Sequence, residues 1–224
     1  MNIIPKEIEK FNNLRKEKLE YFLNEILQIV LKTNEYLEGN SFYEHQTFNR
    51  TDCFYNKQFN LFQLGSLNHI KNICEIGFNA GHSALLFLIG RESEDKLNYT
   101  IFDINHHLYT MPCIEFISNK STNVDFNYII GDSTKTMPEW IANNPNVKET
   151  YDLIHIDGGH EDIHIKNDFI NSDILVKSGG IIIIDDTDNE NINNYVNNYI
   201  NSGKYREIFI LPTYGYQHRI IQKL

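Results

Sequence analysis

The sequence has few cysteines, a shortage of basic residues and no long apolar run, and each shortage excludes a class of protein. Cys53, Cys74 and Cys113 are scattered without CxxC spacing, which favours reduced thiols and gives no zinc signature. Lys and Arg number 20 against 30 Asp and Glu, a net charge of −10, which argues against nucleic-acid binding because phosphates must be neutralised. No apolar run approaches membrane-spanning length, and the N-terminus has no apolar signal core. We therefore expect a cytoplasmic protein that binds neither nucleic acid nor membrane.

The N-terminal third of the chain is predicted to be helical. Apolar residues recur at helical spacing over residues 5–37 and 57–70, with a polar and aromatic loop at 39–56. The first helix can pack on the core or on a second copy of the chain, which would form a homo-oligomer, or it can act as a lid over an active site. We divide the chain of 224 residues, which suffices for one sizeable core, into an N-terminal helical or substrate-lid region, 1–71, and a main domain, 72–224.

Short β-branched runs alternate with helical patterns through the main domain. Such runs suit strands that are buried on both faces of a parallel sheet. The alternation, with a final pair of strands joined at Thr213-Tyr214-Gly215, predicts an α/β fold: a doubly wound, mostly parallel seven-stranded sheet with an antiparallel C-terminal edge hairpin. The predicted strands are residues 73–76, 99–102, 126–130, 153–156, 181–184, 205–211 and 216–221, and the helices between them include 83–89, 111–118, 134–142 (with Ser133 as N-cap) and 191–201.

Two neighbouring strands end in acidic residues within residues 151–189. The first ends at Asp157, followed by Gly158-Gly159-His160, and the second ends at Asp185-Asp186. A helical crossover makes the strands parallel, so their carboxyl ends lie at the same edge of the sheet. Three carboxylates at one point repel each other unless a cation lies between them, and oxygen ligands suit Mg²⁺, Ca²⁺ or Mn²⁺. This pattern predicts a metal site with a histidine beside it; the alternative is an acidic pair that only caps the next helix.

Glycines follow the first strand of the main domain. Their spacing is Glu75-x-Gly77-x-x-x-Gly81. Such glycines let the backbone approach a ligand, and the N-terminus of the next helix points at that ligand. The dinucleotide fingerprint GxGxxG is absent, because Asn79 and His82 occupy its second and third glycine positions.

Acids end the next two strands. Asp103 comes about twenty residues after the glycines, where an acid can accept hydrogen bonds from ribose hydroxyls, and Asp132 ends the third strand. Together with the glycines they predict a nucleoside-binding edge. We interpret His106 and His107 as part of a solvated loop, with contact to the ribose or adenine as the alternative. His155 faces the same side of its strand as Asp157, and we interpret it as a buried, hydrogen-bonded core histidine rather than a ligand.

The segment ICEIGFNAGHSA resembles the first glycine motif of the class I S-adenosylmethionine-dependent methyltransferases, and the resemblance extends from residue 73 to the C-terminus. It implies that Gly77 and Gly81 wrap the methionine part of S-adenosylmethionine, that Asp103 holds the ribose and that Asp132 lies by the adenine. His82 and Ser83 are interpreted as helix caps and neighbours of the cofactor. The implied cofactor-binding set is Glu75, Gly77, Gly81, Ser83, Asp103, Asp132 and Asp157.

The segments HIDGGH and GGIIIIDDT resemble those of the divalent-metal O-methyltransferases, which include catechol-type enzymes and enzymes that act on macrolide sugars. The resemblance implies that Asp157, Asp185 and Asp186 bind Mg²⁺, or another divalent cation such as Mn²⁺ or Ca²⁺. It also implies that His160 is the catalytic base beside Asp157. The expected acceptor is a small molecule with adjacent oxygens, a sugar diol or a catechol. One departure concerns the acceptor: Asp162 stands where relatives often carry an aromatic residue.

Two other functions are compatible with parts of this pattern. One is an inactive methyltransferase-like protein that binds the cofactor and serves as a partner subunit; the intact Asp157, Asp185 and Asp186 argue against it. The other is a different α/β enzyme, such as a nicotinamide oxidoreductase, against which the absent GxGxxG argues.

Overall fold

The computed structural model, which describes residues 4–44, 47–91, 95–213 and 217–224 except the side chain of Ile4, contains a seven-stranded sheet. Its strands are β1 (Asn72–Ile76), β2 (Leu97–Asp103), β3 (Val124–Ile130), β4 (Tyr151–Ile156), β5 (Val176–Ile184), β6 (Tyr205–Ile208) and β7 (Arg219–Lys223). They lie in the order β3-β2-β1-β4-β5-β7-β6. The first five are parallel, and β7 is antiparallel to both β5 and β6. The predicted fold class is therefore confirmed.

Helices connect the strands and precede the sheet. They are α1 (Ile4–Leu14), a π-helical turn (Arg15–Leu19), α2 (Glu20–Thr33), α3 (Tyr55–Gly65), α4 (His82–Ile89), α5 (Thr110–Lys120), α6 (Ser133–Asn143), a 3₁₀ turn (Pro145–Val147), α7 (Asp162–Leu175) and α8 (Glu190–Asn201). The helix predicted over residues 5–37 contains the π turn and ends at Thr33, because Asn34 has a left-handed backbone (φ 60°) that closes it. No helix in the described ranges is both long and apolar enough to cross a membrane.

Three local predictions need correction. Asp132, and not Ser133, is the N-cap of α6: its backbone is extended and its side chain accepts a hydrogen bond from the Thr134 amide (2.9 Å). Strand β6 ends at Ile208, short of residue 211, and β7 begins at Arg219. The predicted turn at residues 213–215 and the predicted start of the last strand at 216 fall largely on residues 214–216, which lie outside the described residues.

Contacts divide the chain into two compact units. The first is Met1–Asn68, Phe78–Glu94 and Asn105–Asn123, and it holds α1 to α5. The second is His69–Gly77, Asp95–Ile104 and Val124–Leu224, and it holds the sheet with α6 to α8. The functional boundary between residues 71 and 72 and the homo-oligomer through the first helices stay predictions.

The central strands are buried on both faces, as their composition predicts. Every residue of β4 is buried, and so are the last five of β5. Ile154 and Ile182 lie in one apolar cluster with Phe169 of α7 and Val196 of α8. Burial of these side chains stabilises the sheet by roughly 1.5–3 kcal/mol for each large residue, so the ends of β4 and β5 are held on a rigid core.

The residue after β1 is a glycine because a side chain would collide with the end of β4. Gly77 has a left-handed backbone (φ 85°), and a Cβ built on it would lie 1.9 Å from the carbonyl oxygen of Asp157. Gly179 in β5 has a similar φ of 78°, but its Cβ would meet nothing within 4 Å. The two glycines therefore share the backbone strain and differ in the collision.

We expect Gly77→Ala to destabilise the fold far more than Gly179→Ala. The control should lose about 1–2 kcal/mol of unfolding free energy from the left-handed backbone alone. Gly77→Ala should lose roughly 3 kcal/mol beyond that, because the main chain at Asp157 must move. Denaturant unfolding of both variants measures this, and equal losses would contradict the close approach.

Candidate active site

The carboxyl ends of three parallel strands are held together by backbone hydrogen bonds that continue the sheet one residue past each strand. The residue after β1, β4 or β5 donates its amide to a carbonyl in the last two residues of a neighbouring strand, so the polar side chains that follow start from fixed main-chain positions. The bonds run from Gly77 N to Phe102 O (2.8 Å), from Asp157 N to Ile76 O (2.9 Å) and from Asp185 N to Ile156 O (2.9 Å).

Two of the three predicted metal ligands meet at this edge, together with a histidine. One ligand atom each from His155, Asp157 and Asp185 lie within 4.8 Å of one another, and His155 and Asp185 are buried. His155 is hydrogen-bonded, as predicted for a core histidine: its Nδ1 lies 3.1 Å from Oε1 of Glu75. Two carboxylates beside an imidazole are a donor set that fits a divalent cation. The sequence already places His155 on the same side of its strand as Asp157, and its role as a ligand stays the alternative to that of a core histidine.

Asp186, the third predicted ligand, faces a different partner in this structure. Its backbone is left-handed (φ 51°), and its amide donates to Oδ1 of Asp185 (2.9 Å). Its own Oδ2 lies 2.8 Å from Nε2 of His160. Asp186 therefore pairs with the predicted base, and its role as a metal ligand stays a prediction.

The His160–Asp186 pair sets the chemistry of the imidazole. Its hydrogen bond to Asp186 raises the pKa of His160 above 6.5, and Asp157 and Asp185 add to this against the effect of burial. When Nε2 donates to a carboxylate, the neutral ring carries its lone pair on Nδ1. The side chain of His160 is 54% exposed, so this nitrogen can meet a molecule from solvent. The arrangement can take up a proton.

Glu75 supports the site from inside the sheet. It is fully buried; its Oε2 accepts a hydrogen bond from the Tyr99 hydroxyl (2.8 Å), and its Oε1 lies on His155. The pKa of His155 is lowered by burial, but the hydrogen bond to Glu75 and the nearby carboxylates outweigh this and raise it. Glu75 thus fixes the ring of His155 beside Asp157, and its predicted contact with a cofactor stays a prediction.

From Phe78 onwards, the residues of the glycine motif belong to the first unit. Gly81 (φ 81°) is the N-cap of α4, and its Cβ would lie 2.4 Å from the Phe78 ring. The interpretation of His82 and Ser83 as caps is wrong, because both residues lie inside the helix. His82 is buried, and burial lowers its pKa to about 3 with a smaller effect from Arg50. Gly81 has no side chain with which to cap α4.

The strand-end acids and the histidines near them differ from their predicted surroundings. Asp103 is the last residue of β2 and half-buried. Asp132 lies two residues after β3 and caps α6, and hydrogen bonds from Thr134 hold the pKa of its carboxyl below its usual value. His106 is exposed, whereas His107 stacks on Tyr109 (4.7 Å between ring centres). Both histidines lie in a loop as predicted, but the prediction that the loop is solvated is wrong for His107, because its ring packs on Tyr109.

Comparison with known proteins places the chain in a family. Residues 74–187, just over half of the chain, match the family model described as "Methyltransferase domain". Comparison with curated proteins gives no match.

Three solved structures share the fold. An O-methyltransferase from Bacillus cereus in complex with S-adenosylhomocysteine is 18% identical, with 95% of this chain and 96% of that chain covered and a TM-score of 0.61. CalS11, a TDP-rhamnose 3′-O-methyltransferase of calicheamicin biosynthesis, is 16% identical over 75% and 79%, with a TM-score of 0.58. TomG, an O-methyltransferase from Streptomyces achromogenes, is 13% identical over 75% and 79%, with a TM-score of 0.56. The family match confirms the resemblance drawn from the glycine and acidic motifs: the chain belongs to the methyltransferase domain family, of the class I S-adenosylmethionine-dependent type.

Proposed function

We propose that this methyltransferase transfers a methyl group from S-adenosylmethionine to a hydroxyl of a small molecule with adjacent oxygens, and that it requires a divalent cation. The observation that carries the proposal is the meeting of Asp157 and Asp185 at the edge where the His160–Asp186 pair also lies. Family membership supplies methyl transfer, and these side chains supply the means to hold an acceptor hydroxyl and remove its proton.

The residues of the glycine motif fit the proposed cofactor. S-adenosylmethionine, when bound, supplies a methyl group that is already activated on a sulfonium. In the first unit, the N-cap of α4 is Gly81, which offers the helix no side-chain cap, so the first amides of α4 suit a carboxylate such as that of the methionine part. In the second unit, Asp103 ends β2 with its side chain partly exposed, which suits hydrogen bonds from ribose hydroxyls.

The acidic residues fit the proposed cation. A bound divalent ion supplies Lewis acidity, which orients neighbouring oxygens and lowers the pKa of a hydroxyl. Asp157 and Asp185 are the two predicted ligands that also lie together in the structure. The third ligand is Asp186 by family resemblance and His155 by the geometry of this structure, and the two alternatives are separable by mutation.

His160 is the proposed base. Asp186 holds Nε2, which leaves Nδ1 as the acceptor for a proton from the substrate hydroxyl. An aliphatic hydroxyl needs such a base more than a phenol does, so the pair favours a sugar acceptor over a catechol. The printed name of CalS11, which shares the fold, also describes transfer to a sugar. Intact Asp157, Asp185 and His160 argue against the alternative of an inactive partner protein.

We expect S-adenosylhomocysteine to bind in excess chelator, because the glycine motif and Asp103 do not depend on the acidic group. Asp103→Asn should weaken this binding by about tenfold or more, since hydrogen bonds to a charged acceptor are lost. Asp125→Asn, an exposed carboxyl on β3 paired with Lys96, is the matched control. Calorimetry measures all three proteins, and complete loss of binding in chelator would show that cofactor and cation share one site.

A second expectation concerns the cation. Mg²⁺ or Mn²⁺ should raise the melting temperature of the protein, because an ion bound only by the folded state stabilises it. Asp157→Asn and Asp185→Asn should abolish the shift, and exposed Asp188→Asn should keep it. Loss of the shift in Asp186→Asn but not in His155→Gln assigns the third ligand to Asp186, and the reverse assigns it to His155. If all variants respond like the parent, the metal requirement is wrong.

Turnover tests the base. In a screen of sugar diols and catechols for formation of S-adenosylhomocysteine, His160→Gln should lose roughly 10²–10⁴-fold in kcat while cofactor and cation still bind. Exposed His69→Gln is the control. Activity should fall as the pH drops through the pKa of His160, which Asp186 raises and a bound cation would lower, because only the neutral ring accepts a proton. Asp186→Asn should move this limb to lower pH. Full activity in His160→Gln would exclude it as the base.

A further inference from the structure

Helix α7 has an unusual distribution of polarity. It buries polar side chains beside apolar ones and leaves three isoleucines partly or largely exposed, whereas an ordinary amphipathic helix buries mainly its apolar face. Polar side chains inside a protein are retained for a hydrogen bond, a strain or a function. The buried polar residues are Asp168, Asn171 and Ser172, and the exposed isoleucines are Ile163, Ile170 and Ile174.

The burial of Asp168 costs more stability than that of the other two polar residues, because Asp168 can carry a charge. Its relative exposure is 0%, and neither carboxyl oxygen makes a hydrogen bond within the described ranges. Burial raises its pKa to about 6, although the nearby hydroxyl of Ser133 and the ring of His164 offset part of the effect. The Ser133 hydroxyl therefore comes close without completing a hydrogen bond. A buried carboxyl whose oxygens make no hydrogen bond destabilises the folded state, so a structural role alone does not account for it.

The turn that follows β4 lies directly on Asp168. We call residues 158–160 the diglycine turn. A Cβ on Gly158 would lie 2.9 Å from Oδ2 of Asp168, and a Cβ on Gly159 would lie 3.0 Å from Cγ of His164. His164 and Asp168 are four residues apart and share one face of α7. The turn is therefore made of glycines because its backbone packs against two polar side chains.

The diglycine turn carries backbone amides that can donate hydrogen bonds. The amides of Gly158 and Gly159 make no backbone hydrogen bond among the described residues. An unpaired acceptor thus lies under a segment with unpaired donors, and any bond between them gains strength from the buried, ionised acceptor. The other titratable groups around Asp168 are Cys74 from β1, Asp132 from the start of α6 and His164 from α7 itself, with Nε2 of His164 3.6 Å from Asp132.

We propose that Asp168 is a positioning residue: its carboxyl fixes the diglycine turn and thereby sets the places of Asp157, which precedes the turn, and His160, which ends it. This inference rests on the proposed function, since it takes Asp157 as a cation ligand and His160 as the base. Asp168 touches neither reacting group. Its contribution is to hold the backbone between them, at the expense of fold stability.

The test removes the carboxyl in two ways. Asp168→Leu replaces it with an apolar side chain of similar shape, and Asp168→Asn keeps a neutral acceptor. At pH 7.5, Asp168→Leu should be at least as stable as the parent, because an unpaired buried charge is gone. Its affinity for Mn²⁺ should fall by about tenfold, the lower end of the loss when a supporting residue of a metal site is removed, and its turn amides should exchange faster with solvent. In Asp168→Asn, the Mn²⁺ affinity and the amide exchange should lie between those of Asp168→Leu and the parent.

The control is Glu139→Gln, which removes an exposed carboxyl from α6 and should match the parent throughout. Parent-like Mn²⁺ affinity and parent-like amide exchange in Asp168→Leu would overturn the proposal, whatever the change in stability. If that variant does not fold, Asp168→Asn is judged by the same two measurements. A parent that binds neither Mn²⁺ nor S-adenosylhomocysteine would refute the proposed function, and amide exchange at residues 158–160 in the metal-free protein would then decide on Asp168 alone.

Discussion

The parallel pairing of β1, β4 and β5 is the constraint on which the site depends. The three strands are parallel and end at nearly the same level. The amide of the residue after β4 or β5 therefore still bonds to the neighbouring strand, and the side chains that follow lie at one edge of the sheet. The packing is tight enough that Gly77 cannot carry a side chain beside the Asp157 carbonyl. A shift of one residue in any of these strands would move its side chains to the opposite face of the sheet and separate the aspartates.

Charge is concentrated at this edge and compensated unevenly. Glu75 is buried but satisfied by Tyr99 and His155, so it acts as a fixed support. Asp157 and Asp185 instead lie close to each other and to the ring of His155. Like charges held this close are retained in a stable fold when a cation joins them. The same edge carries His160, whose raised pKa follows from its contact with Asp186.

The sequence predicts the backbone of this site better than its side-chain contacts. Apolar β-branched runs that stop at acids are sufficient to place Asp157 and Asp185 together, because burial on both faces and parallel crossovers leave little freedom. Whether His155 or Asp186 is the third ligand beside them depends on the backbone at Asp186, which is left-handed. This conformation is uncommon at non-glycine residues, so the sequence does not indicate it.

Contacts between distant segments explain the remaining differences. Asp132 was predicted as a strand-end acid, but its side chain caps α6 as well. The sequence does not indicate the burial of Asp168, because α7 carries eight polar residues and only the packed structure shows which of them face the core. An acid four residues after a histidine, and so on the same face of the helix, was the one available signal.

Anomalous scattering from crystals grown with Mn²⁺ and S-adenosylhomocysteine tests the central claim most directly. The account predicts an anomalous peak in contact with the carboxylates of Asp157 and Asp185, with the ribose of S-adenosylhomocysteine on Asp103. Bound S-adenosylhomocysteine without a manganese peak at those two carboxylates would contradict it.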